Sequence, residues 1–169
     1  NIRTIPEQAF FQCSNLEEIT LPMNIESIGS FALGSTKIKK VRIPNNVTNV
    51  YYTAFDGSPI EAFEVGGANV NYLVKNGVLI SSNGTLIKYP EGKSDATYTT
   101  DPVITGLGQW SIKGTKLISL IIGDNVVSHG DRSISDNKLL TTIKLGASIS
   151  PTNLAMHITR NDSLADIHV

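Results

Sequence analysis

The chain is poor in the residues on which most chemistry depends. It has one cysteine, Cys13, in 169 residues, which excludes an internal disulfide framework. The three histidines, His129, His157 and His168, fall in different segments without metal-ligand spacing. "GDRSISD" from Gly130 offers Asp131 and Asp136 but lacks the ligand density of a calcium loop, and reads as a polar turn. "GLGQW" at Gly106 has no strand–helix context and is no dinucleotide fingerprint. Trp110 is read as filling a turn rather than as an exposed platform. No apolar run approaches the roughly 18 residues of a membrane span. Net charge is −1, so there is no global pull toward nucleic acid or anionic membrane. No enzyme activity, cofactor or metal is expected. The chain shows neither an initiating Met nor a signal peptide, and a mature chain or a fragment of a longer protein is expected.

What is present is repetition. Apolar residues make up 40 %, enough for a core in one domain. Six segments share one pattern: "LEEITLP", "IKKVRIP", "IEAFEVG", "LISLIIG", "LTTIKLG" and "LADIHV". Their third apolar residues are Leu21, Ile43, Val65, Ile122, Leu145 and Val169, at spacings of 22, 22, 57, 23 and 24. The long spacing reads as one ordinary repeat carrying an insertion. A second piece recurs as Ile-x-x-Ile from Ile2, Ile25, Val47 and Ile104, followed by an Ala-Phe turn that becomes Ser111-Ile112 and Ser133-Ile134. One such unit cannot bury its apolar face alone, whereas stacking makes a continuous core. The fold class expected is a β-rich, right-handed repeat solenoid of about six rungs, with parallel pairing and few short helices.

"AFFQCSNLEEITLPMNIESIGSFALGSTKIKKVRIPNNV" resembles the BspA-type leucine-rich repeat, strongly over residues 2–65 and more weakly over 103–169. The later rungs depart from it: Gly66, Gly123 and Gly146 replace the prolines at positions 22 and 44. "ISPTNLAMHITRNDSLADIHV" keeps little beyond apolar spacing. The resemblance implies a secreted or cell-surface scaffold of a host-associated microbe, which adheres to host matrix or cell-surface proteins. It also implies a buried structural role for Cys13.

Outward positions of the strand motif are the candidate partner surface: Glu18, Thr20, Lys40, Arg42, Glu64, Ile118, Ile121 and Lys144. Glu17, Lys39 and Glu61 should form an acid–base–acid ladder, either a recognition strip or mutual neutralisation of a solvated face. Ile118 and Ile121 form a contact patch or lie under the insertion, and the sequence leaves both readings open. A protein partner is expected, with a glycan-binding module or a structural spacer as alternatives. A glycosidase reading fails on its carboxylates, because Glu17, Glu61 and Glu64 each stack on a basic neighbour. The chain is expected to be a monomer. Asn46, Asn83 and Asn161 head acceptor sequons that matter only in a eukaryotic secretory pathway.

The domain organisation expected is one domain over 1–169, with repeats at 1–65 and 103–169 and a β-hairpin insertion at 66–102. Asn76-Gly77 and Asn83-Gly84 are strong hairpin signals. They imply a small meander on Tyr72, Val74, Leu79, Ile87 and Tyr89, read as a structural flap ahead of a partner-contacting lobe.

Overall fold

A computed structural model describes residues 2–149, Leu154 and 157–169. The remaining positions, including the Ser150–Asn153 opening of the last repeat segment, lie outside the described residues. The chain winds as a three-sided solenoid. The first side carries β1 (Thr4–Ile5), β2 (Ser27–Ile28) and β4 (Asn49–Val50), then β8 (Thr85–Lys88), β10 (Gly106–Leu107) and β13 (Ser128–His129). The second side carries β11 (Ile112–Lys113), β14 (Ile134–Ser135) and β16 (Ile158–Thr159). The third carries β3 (Lys40–Ile43) and β5 (Ala62–Val65), then β9 (Thr97–Thr99), β12 (Ser119–Ile121), β15 (Thr142–Lys144) and β17 (Asp166–His168). Equivalent strands of successive turns pair in parallel, as in Val41↔Phe63 and Leu120↔Ile143. These are the strands expected from the repeat.

The rung count differs. Tyr98 pairs with Leu120, which places Thr100 in register with Ile122. The spacing of 57 is therefore two turns, one of 35 residues and one of 22, and the solenoid has seven turns rather than about six. The extra rung is hard to read because Thr100 stands where the other turns have an aliphatic residue. Its hydroxyl is buried and accepts a hydrogen bond from the Gly123 N–H at 2.8 Å.

Six of the seven turns bend at a corner held in the left-handed region. One column is Gln12, Ser35, Gly57, Gly114, Asp136 and Arg160, with φ between 53° and 76°. A second contains Gln8, Phe31, Trp110 and Arg132, with φ between 48° and 58°. A side chain there costs roughly 1 kcal/mol or more, so stacking on neighbouring turns must hold the shape. A third corner is held by asparagine. The amides of Asn24, Asn46, Asn69 and Asn125 donate to backbone carbonyls of Ile2, Met23, Pro44 and Pro102.

The long turn is not a flap. β6 (Tyr72–Lys75), β7 (Val78–Ser81) and β8 form an antiparallel meander joined to β10. Alternation along a strand sends successive side chains to opposite faces. Tyr72, Val74, Leu79 and Ile87 join a core built from Ile5 to Phe63, while Leu73, Val78, Ile80, Leu86 and Tyr89 join one that runs to Leu154. The meander is thus a wall between two cores, buried on both faces. Its first strand also closes the sheet before it. The Tyr72 hydroxyl accepts from the Val50 N–H at 2.9 Å and donates to the Thr48 carbonyl at 3.3 Å. Burial raises the pKa of this phenol.

Cys13 corrects the expectation of a buried thiol: it is free and exposed. It stands among exposed turn residues at positions 12–15, outside the stacked core.

Candidate functional site

The third side presents its outward positions as the alternation requires. Val41, Ile43 and Phe63 point inward and are buried, and Lys40, Arg42 and Glu64 point to solvent. Glu18 and Thr20 stand exposed on the preceding turn. These five residues line one open groove of about 640 Å³. Lys39 and Glu61 flank it and pair at 3.1 Å, so that ladder is real between its second and third members. Arg42 and Glu64 are register partners. Among the described residues, Glu17, Glu18, Lys40, Arg42 and Glu64 carry no ion pair within 4 Å.

The other three candidates are elsewhere. Ile118, Ile121 and Lys144 lie on and beside β12 and β15, beyond the tip of the meander. That tip interrupts the third side: the Phe63 N–H donates to the Gly77 carbonyl at 2.9 Å, so the edge of β5 away from β3 meets a turn instead of a strand. Gly77 has φ +80°, and a Cβ there would meet the Cβ of Ala62 at 3.1 Å. The face is therefore divided into a charged half and a less charged half. Ile118 is 48 % exposed and Ile121 half-buried. The segment before β9 stacks beside Ile118 as the next rung, its Ala96 carbonyl accepting the Ile118 N–H at 2.8 Å. The insertion does not cover the patch.

One cluster has no signal in the sequence. Lys88 is 2 % exposed, yet its ammonium lies 2.6 Å from Asp56 Oδ1 and 3.0 Å from Glu91 Oε1. Asp56 Oδ2 also takes Lys113 at 2.6 Å, and Glu91 Oε2 accepts the Gly57 N–H at 3.0 Å. Burial depresses Lys88 most strongly of any single influence, but the two carboxylates together outweigh it and its pKa is raised. Burial also raises Glu91, and Lys88 offsets this in part. Asp56 lies 32 residues from Lys88 and 57 from Lys113 in sequence, so only the Lys88–Glu91 pair, three residues apart, is local. It closes on itself and ties the first core block to the second.

The rest of the polar interior is also structural. Asn137 Oδ1 accepts from the Thr115 N–H and hydroxyl, and its amide donates to Ile112 and Asn161. Asn161 in turn donates to Ile134. Two of the three sequon asparagines thus have side-chain amides bonded to the backbone: Asn46 through Met23 and Asn161 through Ile134. The Asn83 side chain accepts from Thr85 within its own turn. Trp110 sits at a left-handed corner, half-buried against Tyr52, with ring centroids 5.4 Å apart.

The BspA type leucine rich repeat region (6 copies) matches residues 1–76. No curated protein matches the chain. The fold is similar to that of a leucine rich cell surface protein from Faecalibacterium prausnitzii A2-165, with a TM-score of 0.76 and 23 % identity over 88 % of this chain and 40 % of that one. A leucine-rich repeat protein from Eubacterium ventriosum aligns with a TM-score of 0.66 and 17 % identity, over 97 % of this chain and 57 % of that one. The pneumococcal vaccine antigen PcpA aligns with a TM-score of 0.62 and 20 % identity, over 99 % and 60 %. The chain thus spans between 40 % and 60 % of the length of these structures. Residues 1–76 are thus similar to the BspA-type leucine-rich repeats, and the same strand motif and parallel winding recur in the turns beyond them.

Proposed function

We propose that this chain is a non-catalytic cell-surface module that binds a protein partner through the charged half of its third side. The observation that carries the reading is the set of unpaired charges around the groove. Glu18, Lys40, Arg42 and Glu64 stand on stacked strands, aimed at solvent. Charges of both signs at fixed spacing suit complementary charges on a folded protein, where they set register and association rate more than raw affinity. Adjacent rungs repeat at ~4.8 Å, which holds the pattern rigid before binding. Glu61 is neutralised by Lys39 and so does not serve as one of a pair of acid–base carboxylates. Placement at the cell surface draws support from the descriptions of the Faecalibacterium and pneumococcal proteins.

The test is capture on an array of immobilised extracellular-matrix and cell-surface proteins. Binding to at least one is expected, and Lys40→Glu with Arg42→Glu should weaken it more than about tenfold, the scale of lost charge-assisted contacts. The reading fails if nothing is captured, or if the doubly reversed variant binds as the wild type does.

A further inference from the structure

We propose a second binding site on another face: the pocket at Trp110 takes the oxyanion of an acidic glycan. It opens beside the second side of the solenoid and is lined by Trp110, Lys113, Arg132, Asp136, Thr159 and Arg160, with a volume of about 260 Å³. That is room for one charged sugar unit rather than for a protein loop. The lining comes from three successive turns. β11, β14 and β16 stack in register, Ile112↔Ile134↔Ile158, and bring side chains from positions 110, 132 and 160 to one place.

The charge is arranged for an anion. Lys113 lies over the Trp110 ring at 5.2 Å and Arg132 at 6.0 Å. Lys113 is bonded behind to Asp56, inside the closed cluster with Lys88 and Glu91. The rim then has two guanidiniums against one carboxylate. Arg132 makes no ion pair among the described residues, and Arg160 meets Asp136 only at 3.8 Å, beyond hydrogen-bond length. Arg132 and Arg160 both occupy left-handed corners, φ 48° and 54°, so their stems leave the turn in fixed directions. A guanidinium presents a planar fork that matches a carboxylate or sulfate in two parallel bonds. Thr159 adds a hydroxyl. The indole packs T-shaped against Tyr52 and carries Lys113 and Arg132 over its ring, which fixes them at the pocket. Because the whole chain carries a net charge of −1, attraction of a polyanion is a property of this pocket and not of the protein at large.

Trp110 is the single tryptophan, so its emission reports the pocket directly. The purified chain is titrated with dextran sulfate, which carries sulfate only, hyaluronate, which carries carboxylate only, and neutral dextran. A saturable change in emission is expected with one or both acidic polymers and none with dextran. Response to the first alone assigns sulfate, to the second alone carboxylate, and to both either group. Arg132→Asn and Arg160→Asn should each weaken binding about tenfold, since asparagine tolerates the left-handed corner and removes the charge. Lys75→Asn, at the exposed end of β6, should leave it unchanged. Melting curves check that all three variants fold. The proposal is overturned if neither acidic polymer changes the emission, if neutral dextran does so equally, or if both arginine variants bind like the wild type.

Discussion

Turns one to three and turns five to seven trace the same three-sided path, but they hold the second side differently. In the first block this side is a run of tight turns. N–H groups alternate between the carbonyl three residues back, as Ala54 to Tyr51 and Asp56 to Thr53, and the carbonyl of the next turn, as Leu33 to Ala54 and Ser35 to Asp56. Ala54 lets the backbones approach and Phe55 fills the space, stacked on Phe63 with centroids 5.0 Å apart. In the later block the same positions are Ser111-Ile112 and Ser133-Ile134, the backbone extends, and β11, β14 and β16 pair as a sheet. The branched isoleucine favours the strand. Both blocks carry a buried hydrogen-bonded ladder at the next corner, Thr36–Ser58 in the first and Asn137–Asn161 in the later one. One solenoid can therefore hold this side either by tight turns around an aromatic or by a short parallel sheet.

The comparison breaks most sharply where the blocks meet. Asp56→Ala strips the partner from both Lys88 and Lys113, and should cost about 3–5 kcal/mol, as for one half of a buried ion pair. Urea denaturation should show a lower midpoint and two separated transitions, one for each block. A single unshifted transition would refute the clamp. Phe55→Ala should cost about 3–5 kcal/mol, as for other buried aromatics, confined to the first block and visible as a lower melting midpoint. Asn137→Ala leaves the Thr115 N–H and the Ile112 carbonyl without partners and should cost about 1–3 kcal/mol. Faster amide exchange at residues 112–115, with residues 32–36 unchanged, would locate the loss in the later block.

The smallest effect is on pH dependence. All three histidines lie in the later block. His129 stacks on His157 with ring centroids 4.6 Å apart, and Asp131 stands 3.7 Å from His157. Burial first, and then His157, lower the pKa of His129. The unfolded chain therefore takes up this proton more readily than the folded one. The stability is fully present above about pH 6.5 and is lost as pH falls through the depressed value. His129→Gln should flatten the fall in melting midpoint between pH 7 and pH 5 relative to the wild type. An identical slope in both proteins would show that carboxylates alone account for it.

The period of 22 to 24 residues and the alternation at positions 40–43 and 62–65 determine a parallel solenoid and which side chains face out. Both follow from local geometry, since side chains on a strand alternate and equal turns must stack. Five of the eight candidate surface residues come together as that alternation requires. Two Asn-Gly pairs likewise determine the hairpins. Tertiary structure decided the rest. The seventh turn was concealed because Thr100 is polar where the pattern asks for an aliphatic, and only the bond to Gly123 accounts for it. The meander became an interior wall because both of its faces are apolar, and only two cores on opposite sides can bury both. The Lys88 cluster and the Trp110 pocket join residues that are distant along the chain, and no spacing rule reaches from Asp56 to Lys113.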